Sequence, residues 1–427
     1  MKIVLIGAGS FVFSLSVLHD LIVDHRLADG ELALVDVNAE VLPIMAGVGE
    51  RMRAETGSRL EIQTATDRAE ALPGADFVIL AAEIEGARRW RMDYDIALKH
   101  GLADQGRECG GLGGLLHALR SGTLALAVAR DMERLCPGAM LLDVTNPMPR
   151  VVGAVAKHSR VAVAGFCNVA WGGYPGYQWL ASLAGRSAAQ IDVVTAGLNH
   201  FAWLLSIRDR QSGEDLTPRV LEAIGRAPDG EARLLRRWHE RYGALGVSSP
   251  QHMAELLPFD PEVRYCDRPP FHGSPEERRR LLERLRAVAA GEAPWRDALT
   301  QRSWERPVDL AVALARATDA DFDTINMAND GFIRELPPGR IVEVPARARA
   351  GRLAGVAVSA LAPPLAELLG AVSDVIDASA DAIALGGWER VQEVIELDPA
   401  IGDKKNAVRA AAEMLRAHAD LLNMELF

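Results

Sequence analysis

The first apolar run and the glycine turn after it constrain the fold of this chain more than any other stretch. The sequence KIVLIGAG, residues 2–9, is rich in β-branched and aliphatic residues and contains two glycines at its end. Such a run predicts a buried strand, and its glycines predict a tight turn into a helix. A strand, a glycine turn and a helix in this order are typical of a doubly wound α/β sheet that binds a nucleotide at the end of its first strand.

Apolar runs and helical segments then alternate along the first part of the chain. Further strands are predicted at residues 31–38, 59–66, 75–83, 139–147 and 160–168, with helical spacing between most of them. This alternation predicts a parallel sheet with helices on both faces. We therefore predict a Rossmann-like nucleotide-binding domain over residues 1–190 and an α+β domain over residues 191–427.

Composition and charge narrow the class of protein. The 427 residues carry a net charge of −11, which argues against a nucleic-acid-binding surface. The four cysteines are too few and too scattered for a disulfide framework, so a reducing cytoplasm is the expected location. The apolar stretch at the N-terminus is too short to span a membrane. We expect a small-molecule partner, with neither nucleic acid nor membrane.

An acidic residue at the end of the second strand strengthens the nucleotide prediction. Gly7 and Gly9 allow the backbone to approach a pyrophosphate, although Val12 replaces the third glycine of the GxGxxG pattern. Asp36 follows at the distance expected for an acid that binds the ribose 2′-hydroxyl, which favours NAD over NADP. The alternative is a glycine turn followed by a helix-capping aspartate.

Polar side chains follow three later strands, where we expect them to face the nicotinamide. They are Asn146, the pair Cys167 and Asn168, and the pair Asn199 and His200. Cysteine and histidine are both good ligands for a divalent transition metal, and two protein ligands completed by substrate and water suit a catalytic site. Two alternatives remain open, since the same residues could form a nucleophilic Cys–His pair or be ordinary core residues.

Two further segments carry candidates for proton transfer. Glu108 lies in the glycine-rich loop GRECGGLGG, which could cover the cofactor or could be a flexible connection with a solvated charge. His252 and Glu255 lie in SSPQHMAELLPFD and are spaced to share one face of a helical turn. Either could act as a general base, and the alternative is a polar surface turn.

The order of these motifs resembles glycoside hydrolase family 4, the NAD- and metal-dependent glycosidases. The resemblance covers almost the whole chain through IGAGSFVFSLSVLHDL, LVDVN, GRECGGLGG, VTNPM, GFCN, GLNHFAW and NDGFIRELPPGRIVEVP. Single motifs of this set are modest evidence, whereas their common order and spacing are specific. The resemblance implies a fold like that of lactate and malate dehydrogenases, and a homodimer or homotetramer.

Carried over residue by residue, the resemblance implies which side chains hold two cofactors. The nucleotide contacts lie at the turn and at the ends of two strands, on Gly7, Gly9, Ser10, Phe11, Asp36 and Asn146. The metal, usually manganese, is held by Cys167 and His200, and sugar hydroxyls and water complete its shell. The resemblance therefore favours the ligand interpretation of the Cys–His pair over the nucleophile.

The resemblance also implies a reaction and its proton carriers. It implies transient oxidation of the sugar at C3 by NAD, metal-assisted removal of the C2 proton, elimination at C1 and addition of water. Glu108 is the candidate proton donor to the leaving group. The family's usual tyrosine or aspartate base is missing here, so we predict His252 as the base, with Tyr242 and Glu255 in reserve.

The substrate is less constrained than the reaction. Asn146 and Asn168 are the predicted sugar contacts, and the implied substrate is a hexoside or uronide. The alternatives are a 6-phospho-glycoside, which FCNV favours, and a plain NAD-dependent dehydrogenase of a hydroxy acid or sugar. Arg88, Arg89 and Arg150 could bind a carboxylate or phosphate, or could be ordinary surface arginines.

Overall fold

The structure is a computed structural model of the full chain, and it describes residues 1–10, 13–167, 177–260, 263, 275–299 and 305–422. Two of the predicted site residues, Phe11 and Asn168, lie outside the described residues. All other predicted site residues are described.

One large sheet organises the molecule. Its strands in chain order are β1 Lys2–Ile6, β2 Glu31–Val35, β3 Glu61–Ala65, β4 Phe77–Leu80, β5 Met140–Asp143, β6 Ala162–Gly165, β7 Ile191–Leu198, β8 Phe201–Asp209, β9 Leu245–Gly246, β10 Ala320–Ala328, β11 Ile341–Arg349 and β12 Arg352–Gly355. The spatial order is β3-β2-β1-β4-β5-β6-β10-β11-β7-β8-β9, with β12 on β11. The first six strands are parallel, as the sequence predicts, and their order places a crossover at β1.

Helices cover both faces of the parallel part, as predicted, and alternate with strands in the C-terminal region. They are α1 Phe13–His19, α2 Leu42–Thr56, α3 Arg68–Ala71, α4 Gly86–Lys99, α5 Gly111–Leu135, α6 Met148–His158, α7 Tyr177–Leu183, α8 Thr217–Arg226, α9 Glu231–Tyr242, α10 Pro250–Ala254, α11 Pro275–Ala290, α12 Pro307–Ala315, α13 Pro363–Leu385, α14 Trp388–Leu397 and α15 Lys404–Ala417. A π-helical turn, Asp20–Asp24, continues α1.

Helix α5 is apolar because it lies inside the protein. Among the described helices it alone is long and apolar enough to cross a membrane, and 83% of the tested segment is buried in the fold. It packs with α6, α13, α14 and α15 against the first hydrophobic core, where Leu115, Leu119 and Val128 are fully buried. A buried core helix of a globular protein has the same composition.

The sheet continues past the parallel part through antiparallel strands. Strand β6 pairs with β10 where Gly165 lies opposite Asn326, and β11 pairs with β7 where Glu343 lies opposite Gly197. The division of the chain at residue 190 stays a prediction, because the sheet runs across it without a break. This junction brings the end of β6 beside the turn between β7 and β8, which lie in different predicted domains.

Candidate active site

The glycine turn after β1 has the geometry that the sequence predicts. Gly7 adopts φ +92°, and a Cβ there would lie 2.4 Å from the carbonyl oxygen of Ala81, so only glycine fits. The Oδ2 atom of Asp36 accepts a hydrogen bond of 2.7 Å from the backbone N–H of Gly9. The carboxylate therefore lies beside the turn, at the carboxyl end of β2, where a dinucleotide ribose binds in folds of this kind. The cofactor contacts themselves stay predictions.

The structure brings the predicted metal ligands together. The Sγ atom of Cys167 lies 3.3 Å from Nε2 of His200. His200 sits with Asn199 in the two-residue turn between β7 and β8, at φ +60°, and this backbone conformation turns its ring toward the end of β6. Metal–sulfur and metal–nitrogen bonds at tetrahedral angles separate the two ligand atoms by about 3.5 Å, so the observed spacing suits a shared ion.

The electrostatics of the pair distinguish a ligand from a nucleophile. Burial and the neighbouring His252 hold the pKa of His200 well below its usual range, so its imidazole is neutral. Burial raises the pKa of the Cys167 thiol well above its usual range, and the carboxylate of Glu305 raises it further. A nucleophilic cysteine needs the opposite shift, because the thiolate attacks. A divalent metal would displace the thiol proton and accept the neutral imidazole, so the surroundings suit metal binding.

The pair supplies two protein ligands. Among the described residues, one group of three His, Cys, Asp or Glu side chains has all its ligand atoms within 4.8 Å of one another, and it is His19, Asp20 and Asp24, next to α1. Among the described residues, Cys167 and His200 are thus the two candidate ligands of a metal here, and substrate and water are the expected further ligands. Open coordination positions are characteristic of catalytic rather than structural sites.

The predicted base lies next to the metal pair. The rings of His252 and His200 meet edge to face, with centroids 4.7 Å apart. Ser249 caps α10 by accepting the N–H of His252, and its Oγ lies 2.6 Å from Nδ1 of the same ring. The serine hydroxyl thus fixes the ring and leaves Nε2 as the nitrogen available for proton transfer.

The predicted acid and the predicted sugar contact are also adjacent. The Nδ2 atom of Asn146 donates to Oε1 of Glu108 at 3.1 Å. Nδ1 of His117 lies 3.1 Å from the carbonyl oxygen of Glu108, which fixes the loop backbone. The acid is therefore held toward the end of β5.

The two reserve bases have different surroundings. Glu255 lies at the site, where burial raises its pKa and its Oε2 accepts the N–H groups of Cys109 and Gly110. Tyr242 lies at the end of α9, edge-on to Trp203, and lines a separate cavity of about 300 Å³. The ring of Tyr242 contacts Trp203 and Arg241, and among the described residues no hydrogen bond or ring contact joins it to Cys167 or His200.

Behind the pair lies a polar cluster that sequence reasoning missed. The Oε2 atom of Glu343 accepts from Nδ2 of Asn199 at 2.8 Å and from Nδ2 of Asn326 at 3.1 Å. Nδ2 of Asn199 also donates to the carbonyl oxygen of Cys167 at 2.9 Å. The signal was a glutamate inside the apolar strand IVEVP, since a buried charge needs partners.

Two buried oxygens at the site point to a ligand. The Oδ1 atoms of Asn146 and Asn199 have no hydrogen-bond partner within the described part of the chain. Buried polar atoms in native proteins are nearly always satisfied, so unpaired acceptors in a cleft favour a bound molecule that donates hydrogen bonds. A sugar, rich in hydroxyl donors, is such a molecule.

The arginines suggested for a substrate anion have internal partners. Arg150 is buried on α6 and forms an ion pair with Asp398. Arg89 is buried and bonds to Asp420, and exposed Arg88 pairs with a glutamate three residues before it. The carboxylate partners of Arg89 and Arg150 inside the fold therefore favour a structural role for these two over an anion site.

Comparison with known proteins agrees with this geometry. The model of the family 4 glycosyl hydrolases matches residues 2–175, and that of their C-terminal domain matches residues 195–401. An α-glucosidase of Erwinia rhapontici is 27% identical over 97% of this chain and 96% of its own. A 6-phospho-α-glucosidase from gut microorganisms, solved with NAD and Mn²⁺, superposes with a TM-score of 0.80 at 20% identity, covering 99% of this chain and 98% of its own.

A dehydrogenase shares the fold more distantly. The malate dehydrogenase of Plasmodium falciparum, solved with NADH, superposes with a TM-score of 0.51 at 14% identity, over 92% of this chain and 99% of its own. The likeness confirms the predicted dehydrogenase-like architecture. Its low identity shows the fold alone, so the chemistry depends on the side chains of the site.

Proposed function

Since this chain belongs to glycosyl hydrolase family 4, we propose that it cleaves a hexoside or a uronide with NAD and a divalent metal such as Mn²⁺ as cofactors. The observation that carries the proposal is the 3.3 Å approach of Cys167 Sγ to His200 Nε2. This pair lies at the carboxyl end of the strands of the same sheet whose first turn suits a dinucleotide.

The residues at the sheet edge fit both cofactors. The glycines at positions 7 and 9 let the backbone pack closely against Ala81 and Asp36, in the turn that a pyrophosphate approaches in folds of this kind, and Asp36 offers a carboxylate to a ribose. The side chain of Val37, next in sequence, is 94% exposed and offers an apolar surface to an adenine ring. The similar 6-phospho-α-glucosidase was solved with NAD and Mn²⁺, which supports the same pair of cofactors here.

His252 and Glu108 each carry out one of the two proton transfers in the proposed reaction. A bound NAD, held at Gly7, Gly9 and Asp36, would supply a hydride acceptor for C3 of the sugar, and a metal held by Cys167 and His200 would supply a Lewis acid that makes the C2 proton more acidic. His252 removes that proton, and Glu108 protonates the glycosidic oxygen as its bond to C1 breaks. Water adds at C1 and the steps reverse, so NAD is regenerated and the net reaction is hydrolysis.

The proposed substrate is not phosphorylated. The Erwinia rhapontici relative, which matches 97% of this chain, is named an α-glucosidase, and this supports an unphosphorylated substrate. One observation favours a second candidate, a 6-phospho-glycoside, since FCNV is similar to the phospho-sugar branch of the family. Matched phosphorylated and unphosphorylated substrates decide between the two.

One assay tests the proposal against its rivals. The protein is incubated with NAD⁺, Mn²⁺, a reductant and a panel of nitrophenyl glycosides, uronides and 6-phospho-glycosides, and phenolate and NADH are followed together. We expect phenolate release with no net NADH. Stoichiometric NADH without phenolate would instead identify a dehydrogenase of a hydroxy acid or sugar, and NAD binding without turnover would identify a sensor.

A further inference from the structure

Two segments distant in sequence each carry one of the proposed proton-transfer residues. The acid loop, residues 106–110, contains Glu108, and the base turn, residues 249–255, contains His252. We propose that Arg107 and Glu255 are positioning residues that clamp these two segments into one unit. The inference rests on the proposed function for its kinetic consequence, but the clamp itself is a structural claim that can be tested separately.

The first half of the clamp reaches from the acid loop to the base turn. The Arg107 side chain is 3% exposed, and its Nη1 donates to the carbonyl oxygens of Ala254 at 3.3 Å and of Glu255 at 3.1 Å. Its Nη2 lies 3.1 Å from a carboxylate oxygen of Asp104, which balances the charge. The guanidinium therefore satisfies carbonyls at the end of α10, which no further helical turn can satisfy.

The second half of the clamp runs in the opposite direction. The Oε2 atom of Glu255 accepts the backbone N–H of Cys109 at 2.7 Å and that of Gly110 at 3.2 Å. A Cβ on Gly110 would lie 1.8 Å from the carbonyl oxygen of Glu255, so the two backbones are packed directly against each other. Charge-assisted bonds of this kind are the stronger hydrogen bonds in proteins.

The location of the clamp gives it a role in catalysis. Cys109 immediately follows Glu108, and Glu255 follows His252 by one helical turn. The clamp therefore holds a residue close to each of the two proposed proton-transfer residues. The acid loop has other anchors, since Trp90 Nε1 donates to the carbonyl oxygen of Gly106 at 3.0 Å. Loss of the Glu255 carboxylate should therefore loosen residues 109–110 without releasing the whole loop.

Glu255 could instead carry a proton itself, and its charge separates the two roles. Glu255→Gln keeps an oxygen that accepts both N–H groups but cannot ionise, whereas Glu255→Ala removes the acceptor. A positioning role predicts that the glutamine variant is rescued and the alanine variant is not. A proton-transfer role predicts that both variants are equally impaired.

The test combines amide hydrogen exchange with kinetics on the full-length protein. In Glu255→Ala we expect exchange in residues 109–110 to accelerate about tenfold or more, because both backbone N–H groups lose their acceptor. We expect kcat to fall about 100-fold through misplacement of the acid, with KM nearly unchanged. Glu255→Gln should stay near wild type in exchange, kcat and pH profile. Gln251→Ala, an exposed change on the same turn, is the matched control.

Each contrary outcome has a defined meaning. Unchanged exchange in Glu255→Ala would overturn the clamp, whatever the kinetics show. Faster exchange with unchanged kcat would overturn its positioning role, and a glutamine variant as inactive as the alanine variant would assign Glu255 to proton transfer. If the wild-type protein cleaves no glycoside of the panel, the proposed function fails, while the exchange data still decide whether the clamp exists.

Discussion

The nucleotide turn and the metal pair lie at the same edge of one sheet but are assembled in opposite ways. The turn is local in the fold, because Gly7, Gly9 and Asp36 directly follow β1 and β2, which are consecutive in the chain and paired in the sheet. The metal pair has a similar separation in sequence, 33 residues for Cys167 and His200 against 27 for Gly9 and Asp36, but β10 and β11 lie between the strands β6 and β7 that carry it.

The difference shows which kind of site a sequence can specify by itself. A glycine at positive φ, against a neighbouring strand, encodes the turn at the level of single residues. The Cys–His pair depends on two strands from later in the chain, β10 and β11, inserted between β6 and β7. Damage to the turn should therefore lower NAD affinity alone, while damage around the pair should affect metal binding and chemistry.

The strongest test of this division removes a metal ligand. Cys167→Ser and His200→Ala should each lower kcat/KM by on the order of a thousandfold, because the metal supplies several kcal/mol of transition-state stabilisation. Mn²⁺ titration, followed by the electron paramagnetic resonance signal of the free ion, should show the loss of binding in both variants, while NAD affinity is kept. Cys136→Ala, a buried thiol of the first core, is the control. Undiminished metal-dependent activity in either ligand variant would refute the ligand assignment.

The next test separates the base from the ligands. His252→Gln should lower kcat by about 100- to 10,000-fold, since it removes a general base, and should leave the affinities for metal and NAD unchanged. Steady-state kinetics with binding titrations check both parts. His158→Gln, which replaces a surface histidine paired with Asp381, should behave as wild type. A normal kcat in His252→Gln would show that another residue is the general base.

A stability measurement tests the cluster behind the metal pair. Burial raises the pKa of Glu343 to about 7, from 4.5 in the unfolded chain. The folded state thus binds the proton more tightly, so stability should fall as pH rises from about 4.5 to about 7, by about 3 kcal/mol for this group. Urea unfolding at pH 5 and pH 8 should show a smaller fall in the free energy of unfolding for Glu343→Gln than for the wild-type protein. An equal pH dependence in both proteins would mean that Glu343 ionises normally.

A milder effect is expected at the nucleotide turn. Asp36→Asn should weaken NAD binding about tenfold, because a charge-assisted bond contributes about 1.5–3 kcal/mol and the amide keeps part of it. Calorimetric titration measures the affinity, and metal binding should not change. Glu40→Gln, an exposed acid nearby, is the matched control. An unaltered NAD affinity would show that Asp36 does not bind the ribose.

The smallest effect on activity is expected for Tyr242, which lines a separate cavity. Tyr242→Phe should change kcat/KM by less than about twofold, because a hydroxyl outside the reacting geometry contributes no transition-state binding. Its position in the cavity beside Trp203 is the reason for this expectation. A large fall in kcat would show that the base is a tyrosine after all.

The parallel strands, the helices between them and the nucleotide turn were predictable because each depends on a local pattern. The periodicity of apolar residues and the positions of glycine predicted β1 to β6 and α5. The polar break in GLNHFAW predicted the turn that holds His200. The candidates Cys167, His200, His252 and Glu108 were named from their residue types and from the family resemblance. What they contact could not be predicted, because their neighbours come from other strands and helices.

The misses have the same physical origin. Nothing near Arg150 in sequence indicates Asp398, its partner 248 residues away. The links between Glu343 and the metal pair, and between Arg107 and the base turn, also join segments that only the tertiary fold brings together. Tyr242 was a reasonable candidate by spacing, and only the direction of α9 places it in another cavity.

Removal of the C2 proton is the step that distinguishes the proposed elimination from direct hydrolysis, and one measurement tests it. The substrate that the panel identifies is cleaved in D₂O with NAD⁺ and Mn²⁺, and the released sugar is analysed by NMR. Because His252 would exchange the abstracted proton with solvent, we predict deuterium at C2 and retained protium at C3. A product that carries no deuterium at C2 would contradict the proposed mechanism.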